Sequence, residues 1–184
     1  MRVISGFKKG HKLKQPKTEF TRPTEDRIKE SVFNIIGPID EDSEILDLFA
    51  GSGAIGIEFL SRGAKLAYFV DDSSLAISTI KENLKHTKLD DKAVVIKGKD
   101  KNVIERLAKE NKSFDYIYLD PPFDNILLLK NAISLLFEKN IVKNKSIIII
   151  EHKSDYKVEE NDNYEIKNVR RYGNKSVTFL LPII

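Results

Sequence analysis

Residues 45–56 read ILDLFAGSGAIG, an apolar segment that runs directly into a glycine-rich turn. The segment carries the aliphatic and aromatic side chains that are typical of a buried strand. Its glycines, Gly51, Gly53 and Gly56, have the G-x-G-x-x-G spacing of a nucleotide-binding turn between a strand and a helix. Gly51 and Gly53 allow the backbone to turn tightly and to approach a ligand. The stretch therefore predicts the first strand, turn and helix of a nucleotide-binding α/β sheet.

Strand-like and helix-like segments alternate along the chain from this stretch onward. The predicted strands are residues 44–49, 66–70, 93–96, 116–119 and 146–151, and the helices between them are residues 54–62, 74–86, 102–111 and 126–139. Such alternation is typical of parallel strands joined by crossover helices. Residues 164–170 and 176–181 are separated only by a short turn, which predicts an antiparallel hairpin. The predicted fold class is α/β: a doubly wound, Rossmann-like, seven-stranded and mostly parallel sheet with a C-terminal antiparallel hairpin.

A small extension precedes this sheet. Residues 6–20 are rich in lysine and contain two glycines and a proline, which indicates a hairpin or loop arm. Residues 24–36 have apolar side chains at helical spacing, with Thr24 as the N-cap and a Gly-Pro pair as the stop. The predicted organisation is a basic N-terminal extension, residues 1–37, followed by one catalytic domain, residues 38–184.

The positive charge of the chain is concentrated in this extension. The chain has 31 Lys and Arg against 28 Asp and Glu, yet residues 1–34 contain 9 basic and only 4 acidic side chains. The first 17 residues contain six cations and no anion. This surface is therefore predicted to bind the phosphates of a nucleic acid. The residues predicted to contact it are Lys8, Lys9, Lys12, Lys14, Arg22 and Arg27.

Composition also argues against several classes of protein. A chain of 184 residues suits one domain with a small appendage rather than a multidomain enzyme. It has no Cys, and its three His are not at ligand spacing, so neither a disulfide framework nor a metal site is predicted. The aliphatic run from Ile147 to Ile150 is far shorter than the roughly 20 residues that span a membrane, and the N-terminus lacks a signal-peptide pattern. The sequence predicts a cytoplasmic protein without a membrane partner.

Two carboxylates near the glycine turn indicate which nucleotide-like ligand it binds. Asp71 follows Gly51 by twenty residues, at the end of the next strand, where it can accept hydrogen bonds from ribose hydroxyls. That placement suits both NAD and S-adenosylmethionine. Asp47 lies four residues before Gly51, where a carboxylate would repel a pyrophosphate but attract the ammonium of a methionine group. The sequence therefore favours S-adenosylmethionine as the cofactor.

A second motif, Asp-Pro-Pro-Phe at residues 120–123, ends the fourth predicted strand. In a doubly wound sheet the ligand crevice lies at the carboxyl ends of strands 1 and 4, so we expect this motif to face the glycine turn. The Asp120 carboxylate and the Pro121 carbonyl can accept the two hydrogens of an exocyclic amine, while Phe123 stacks on the base. The motif predicts methyl transfer to a nucleobase amine. The predicted catalytic residues are Asp120, Pro121, Pro122 and Phe123.

Together the two motifs resemble those of class I S-adenosylmethionine-dependent methyltransferases that modify exocyclic amines. The N-terminal extension of the RsmD family, bacterial small-subunit (16S) ribosomal RNA guanine-N2 methyltransferases, is similar to residues 1–6, 9–10, 22–24, 26–27 and 29–33. Residues 171–174, Arg-Tyr-Gly-Asn, are similar to that family's hairpin turn, where Asp is more usual than Asn. The resemblance covers residues 1 to about 181. It implies methyl transfer from S-adenosylmethionine to a guanine N2 of ribosomal RNA within a partly assembled small subunit.

The chain departs from the family pattern around the cofactor. The family usually has Gly-Asp after the third strand, with the carboxylate on the adenine amine, whereas here Gly98 is followed by Lys99 and then Asp100. Asp100 takes this role if the turn is shifted by one residue, and a backbone group is the alternative. The pair Asp71-Asp72 replaces the commoner Glu at the ribose. The predicted cofactor-binding residues are Asp47, Phe49, Ala50, Gly51, Ser52, Gly53, Asp71, Asp72 and Asp100.

Three other interpretations of the sequence remain. A DNA amino-methyltransferase would share the Asp-Pro-Pro-Phe chemistry and differ in its substrate. An NAD-dependent oxidoreductase would share the glycine turn, but no Tyr-x-x-x-Lys or similar hydride-transfer group accompanies it. A catalytically silent RNA-binding protein would not need Gly51, Asp71 and Asp120 together.

Overall fold

The computed structural model describes residues 1–16 and 23–183, and only the backbone of Pro23 and Thr24. A seven-stranded sheet of order β3-β2-β1-β4-β5-β7-β6 forms its centre. The strands are β1 Glu44–Leu48, β2 Leu66–Asp71, β3 Ala93–Lys97, β4 Phe114–Leu119, β5 Val142–Lys153, β6 Tyr164–Tyr172 and β7 Lys175–Pro182. The helices are α1 Pro23–Ile36, α2 Ala54–Ser61, α3 Ser74–Thr87, α4 Asp100–Lys109 and α5 Ile126–Glu138, with a 3-10 turn at Asp90–Lys92.

The first five strands are parallel, and β7 lies antiparallel between β5 and β6. Strand β1 pairs with β2 on one side and with β4 on the other. The predicted doubly wound sheet with a C-terminal hairpin is therefore confirmed. Because the chain crosses from β3 to β4 over this central pair, the carboxyl ends of β1 and β4 lie side by side at the topological switch point.

Most element boundaries agree with the prediction to within two residues, and two differences have a clear cause. Helix α1 begins at Pro23, so Thr24 lies inside the helix and is not its N-cap. A proline fits the first helical position because the N–H it lacks would have no partner there. Strand β5 begins at Val142, four residues before the predicted start. Its first residues are mostly polar, so the apolar pattern did not predict them as strand, and a register shift against β4 accommodates them.

Alternate side chains of the strands enter two hydrophobic clusters. Leu46 and Leu48 pack with α4 and α5, whereas Ile45 packs with α1, α2 and α3. Val3 and Leu13 of the N-terminal extension are buried in this second cluster. The extension and the sheet thus share one core. No helix in the parts of the chain described is long and apolar enough to cross a membrane.

Residues 1–13 form a short hairpin that is fixed to α2. The Val3 N–H donates to the His11 carbonyl at 2.9 Å, and the Gly10 N–H donates to the Val3 carbonyl at 2.8 Å. Fully buried Glu58 of α2 accepts hydrogen bonds from the backbone N–H groups of Ile4 and Ser5 at 2.9 and 3.0 Å. Glu58 also pairs with Lys29 Nζ at 3.2 Å and with Arg62 Nε at 2.9 Å. The buried charge of Glu58 is tolerated because both of its oxygens have cationic or N–H partners.

Candidate active site

The glycine-rich turn adopts the backbone conformation that its sequence predicts. Gly51 and Gly53 have φ of +56° and +77°, and between these glycines and β1 the non-glycine Phe49 has φ of +68°. At Gly56 a Cβ would lie only 2.3 Å from the Phe69 ring, so only glycine lets α2 pack this closely on β2. Residues 51 and 53 thus shape the turn, and residue 56 sets the packing beneath it.

Asp71 fixes the turn from the end of β2. Its Oδ2 accepts a hydrogen bond from the Gly51 N–H at 2.9 Å, and its Oδ1 accepts one from the Ser73 N–H at 2.9 Å. Each carboxylate oxygen has a further lone pair, so the half-buried Asp71 can still accept from a ligand. The residue predicted to bind ribose therefore also anchors the loop beside it.

Asp47 lies behind the turn. The residue is only 2% exposed, and its Oδ2 accepts a hydrogen bond from the Gly56 N–H at 3.0 Å. Burial raises the pKa of Asp47 to about 8; the Gly56 hydrogen bond opposes this shift, and the charges of Asp120, Asp71 and Glu151 add to it. A nearby cation would favour the ionised carboxylate.

A cavity of about 240 Å³ lies at the carboxyl ends of β1, β2 and β3. Three of the predicted cofactor carboxylates, Asp71, Asp72 and Asp100, line it together. Asp100 is the first residue of α4, which brings its side chain to this cavity despite the extra Lys99. The remaining lining is mostly apolar and includes Leu48, Phe49, Val70, Pro122 and Leu128.

A second cavity, of about 200 Å³, lies on the other side of Phe49. It is lined by the glycine turn from Phe49 to Ser52, by Glu25, Ile28 and Lys29 of α1, and by Asp120. Asp120 of the Asp-Pro-Pro-Phe motif and the glycine turn thus line one cavity. Phe49 lines both cavities and forms their shared wall.

A charged cluster that the sequence analysis did not anticipate surrounds Asp120. Lys175 Nζ of β7 lies 3.8 Å from Asp120 Oδ1 and forms an ion pair with Glu151 at the carboxyl end of β5. The buried hydroxyl of Tyr118 donates to the other oxygen of Glu151. Glu151 and Lys175 both line the second cavity. The only sequence signal for this cluster is that Lys175 follows the family-like turn at residues 171–174.

The cluster sets the protonation of Asp120. Although 43% of its side-chain surface is exposed, enclosure by the cleft and the charge of Glu151 raise the pKa of Asp120 to about 7, against the opposing effect of Lys175. Burial lowers the pKa of Lys175, but Asp120 and Glu151 raise it more, so that Lys175 stays protonated. Burial and Glu151 also raise the pKa of Tyr118. Asp120 therefore titrates near neutral pH.

The rest of the motif forms a rigid turn. Pro121 is buried, and the Pro122 carbonyl accepts a hydrogen bond from the Asn125 N–H at 2.9 Å. Phe123 is half-buried, with Lys153 Nζ 5.7 Å from the centre of its ring. Phe123 lines neither cavity described above, so its predicted stacking on a base stays a prediction.

The predicted nucleic-acid residues lie on the N-terminal hairpin and α1, with one exception. Lys9, Lys12 and Lys14 are exposed and Lys8 is half-buried. Arg27 is exposed and lines a groove of about 470 Å³ with Arg2, Lys9, Asp26 and Glu30. Arg22 lies outside the residues that the structure describes.

One buried amide connects this hairpin to the glycine turn. Asn83 of α3 accepts a hydrogen bond from the Lys14 N–H at 2.8 Å and donates to the carbonyls of Lys14 and Ser52 at 2.8 and 2.9 Å. The basic hairpin and the cofactor side of the cleft are therefore held in a fixed relation. Among residues 1–16 and 23–183, no cluster of His, Asp or Glu suited to hold a metal ion is found.

Comparison with known proteins identifies relatives along nearly the whole chain. The sequence model of the family called conserved hypothetical protein 95 matches residues 1–181. YlbH of Bacillus subtilis, to which an rRNA methyltransferase activity is provisionally assigned, is 42% identical over 160 residues, which are 87% of this chain and 86% of YlbH. Ribosomal RNA small subunit methyltransferase D of Haemophilus influenzae is 34% identical over 173 residues, 94% of this chain and 89% of that protein.

A solved structure from Escherichia coli has the same architecture. This protein, yhhF, is provisionally assigned as a methyltransferase and superposes with a TM-score of 0.85 at 25% identity. The superposition covers 99% of this chain and 97% of the other. The N-terminal hairpin is therefore part of an arrangement that the two proteins share.

Proposed function

Because the chain belongs to the conserved hypothetical protein 95 family, we propose that it transfers a methyl group from S-adenosylmethionine to the exocyclic N2 of a guanine in small-subunit ribosomal RNA. The observation that carries the proposal is the position of Asp120. It lies in one cavity with the glycine turn, next to the cavity of about 240 Å³ that Asp71, Asp72 and Asp100 line. In this proposal the cofactor site and the acceptor for amine hydrogens would adjoin each other.

The carboxylates on the cofactor side of the cleft are hydrogen-bond acceptors that would suit the hydroxyl and amine donors of S-adenosylmethionine. Asp71 and Asp72 would hold the ribose hydroxyls, and Asp100 would hold the adenine amine, against the apolar walls formed by Val70 and Leu128. The backbone of residues 49–52 would hold the methionine part, with ionised Asp47 behind the turn attracting its ammonium. When bound, the cofactor would supply an electrophilic methyl group, because the C–S bond breaks as the amine attacks and the positively charged sulfur leaves as a neutral thioether.

Asp120 would orient the acceptor amine and receive its proton. A guanine N2 is a weak nucleophile because its lone pair is delocalised into the ring. A hydrogen bond from this amine to the Asp120 carboxylate would turn the lone pair toward the methyl group, and as the N–C bond forms the nitrogen would lose a proton to the carboxylate. A pKa of about 7 suits this task, since a base is most effective when its pKa is near the working pH.

Lys175 and Glu151 would act as positioning residues. Lys175 is held by Glu151 and in turn holds Asp120, which keeps part of the Asp120 population ionised. Most of the rate enhancement would come from alignment and fixed charges, because the displacement needs no covalent enzyme intermediate.

Two of the alternative functions are less well supported. Strand β7 lies antiparallel between β5 and β6, whereas dinucleotide-binding sheets have six parallel strands in the order 3-2-1-4-5-6. A DNA amine would fit the same chemistry at Asp120, and the preference for RNA rests on the named activity of the relatives.

The test is transfer of labelled methyl groups from S-adenosylmethionine to three substrates: small-subunit particles from cells that lack this enzyme, naked 16S ribosomal RNA, and duplex DNA. Digestion to nucleosides and mass spectrometry then identify the product. We expect N2-methylguanosine from ribosomal RNA. Methylation of DNA alone, or of an adenine amine, would refute the proposed substrate.

A further inference from the structure

The N-terminal hairpin presents one aromatic ring almost entirely to solvent. Phe7 lies at the tip of the hairpin, between Gly6 and Gly10, and is 85% exposed. This is the largest exposure of any large apolar side chain in the described part of the molecule. The contacts of the hairpin tip show why this ring points outward.

The tip is fixed rather than loose. The Phe7 N–H donates to the Ser61 carbonyl at 2.7 Å, and the Lys8 N–H donates to Ser61 Oγ at 2.9 Å. The Ser61 hydroxyl donates in turn to the Ser5 carbonyl at 2.6 Å. Gly6, with φ of +82°, lies so close to α2 that a Cβ would be 1.8 Å from the Ser61 carbonyl oxygen. The ring is therefore held outward by the backbone on both sides of it.

The segment of chain that carries the ring is positively charged. Residues 1–16 contain Arg2, Lys8, Lys9, Lys12 and Lys14 but no Asp or Glu. An apolar ring that binds another protein would more often lie in an apolar patch, whereas a ring among cations suits a base and its phosphates. The chemistry on this surface thus favours an unpaired, negatively charged polynucleotide.

The tip lies at the end of α2 that is remote from the cleft. The glycine turn precedes α2, and Ser61 is the last residue of this eight-residue helix. A helix of this length is about 12 Å long, so a base at Phe7 cannot be the base at Asp120. The surface at Phe7 is a second contact site for the RNA chain.

We propose that Phe7 is a stacking platform for an unpaired base of the RNA substrate, with Lys8 and Lys9 on the flanking phosphates. The inference rests on the proposed function only in that the substrate is RNA. It adds a site away from the reacting base. Stacking on an aromatic ring accepts any base, so this contact contributes affinity and register rather than sequence specificity.

The first experiment uses the absence of tryptophan from the sequence. In Phe7→Trp the new indole is the only one, and its fluorescence is quenched when a base stacks on it. Leu75→Trp is the matched control. Leu75 is 56% exposed, but the residues next to it in sequence include the acids Asp71 and Asp72 instead of lysines. The probe is an unstructured twelve-nucleotide RNA at low salt. We expect saturable quenching for Phe7→Trp and none for Leu75→Trp, and equal responses of the two variants would overturn the proposal.

The second experiment separates stacking from general apolar contact. We expect Phe7→Leu to weaken binding of the same RNA by about 5-fold to 100-fold, and Phe7→Tyr to bind within about threefold of the wild type. The salt dependence of binding should be the same in all three proteins, because no charge changes. Thermal melting and S-adenosylmethionine affinity show that the variants are folded.

The outcomes distinguish this proposal from the proposed function. If Phe7→Leu binds RNA as well as the wild type while methyl transfer to ribosomal RNA proceeds, the stacking site is wrong and the function stands. If the wild-type protein neither binds RNA nor methylates it, both are wrong.

Discussion

Lys175 Nζ lies 3.8 Å from Asp120 Oδ1 while it forms an ion pair with Glu151. The three groups come from the start of β7, the residue after β4 and the end of β5. A carboxylate that is crowded by a second carboxylate and balanced by a cation has a pKa that small changes can move. This arrangement makes the cleft sensitive to pH.

Replacement of Asp120 separates orientation from binding. We expect Asp120→Ala to keep cofactor and RNA affinity within about tenfold but to lower single-turnover methyl transfer by roughly 10²–10³, the effect of removing one fixed electrostatic partner. Asp120→Asn should keep more activity than Ala, because its amide oxygen still accepts a hydrogen bond. Wild-type rates in Asp120→Ala would make the motif a structural turn only.

The rate of methyl transfer should depend on pH through Asp120. Because its pKa is about 7, the ionised fraction, and with it the rate at saturating cofactor, should reach half of its maximum near pH 7 and level off above about pH 8. Lys175 lowers this pKa, so Lys175→Gln should shift the profile to higher pH. Lys145→Gln, at an exposed lysine of β5, is the control and should not. Superimposable profiles for Lys175→Gln and the wild type would contradict the assigned role of Lys175.

Asp47 should make the free protein less stable as pH rises. The pKa of Asp47 is about 8 in the folded protein, against 3.8 for an ordinary Asp side chain. Between about pH 4 and pH 8 the folded state therefore holds a proton that the unfolded chain releases, and stability falls as the pH rises through this range. Asp47→Asn still accepts from the Gly56 N–H and removes this penalty. Its melting temperature should exceed that of the wild type by at least about 3 °C at pH 9, the effect of about 1 kcal/mol in a domain of this size, and by less at pH 5. A difference that does not change with pH would argue against a buried, protonated Asp47.

Loss of Asp71 should weaken cofactor binding. We expect Asp71→Ala to reduce S-adenosylmethionine affinity by about 1–3 kcal/mol in calorimetry, because it removes a charged acceptor and releases the Gly51 N–H. Asp91→Ala, at an exposed acid beside β3, is the control. Unchanged affinity in Asp71→Ala would remove this residue from the site. NAD should not bind in parallel titrations.

Neutralising the hairpin should act on RNA binding alone. Replacement of Lys8, Lys9, Lys12 and Lys14 by Gln should weaken RNA binding and reduce its salt slope by up to about 3, since each phosphate contact contributes about 0.7 for a single strand. Lys14 should contribute least, because it already pairs with Glu82 at 2.7 Å. The control replaces four exposed lysines elsewhere: Lys101, Lys109, Lys139 and Lys145. Equal salt slopes in the two quadruple variants would count against the hairpin as the RNA-contacting surface.

The order of the elements and the position of the cleft follow from local sequence patterns. Residues 45–56 combine a buried strand with positive-φ glycines, and this local requirement has few solutions. The alternation of strands and helices then puts residues 120–123 at the end of the neighbouring strand. The order of the elements depends on the periodicity of each segment, and the position of the cleft depends on the right-handed crossover between parallel strands. Both are local rules that can be applied to one strand–helix–strand unit at a time.

Which distant side chains complete the cleft depends on how the strands pair in the folded sheet. Glu151 and His152 are adjacent in sequence, yet Glu151 lines the cleft and His152 Nε2 bonds Thr178 on the opposite face of the sheet at 2.7 Å. Successive side chains of a strand point to opposite faces, so which of the two meets Asp120 depends on how β5 is registered against β4. Lys175 reaches the same point because β7 lies between β5 and β6 and pairs with β5. The packing of the whole sheet sets such pairings, and the sequence around Lys175 contains no local pattern that predicts them.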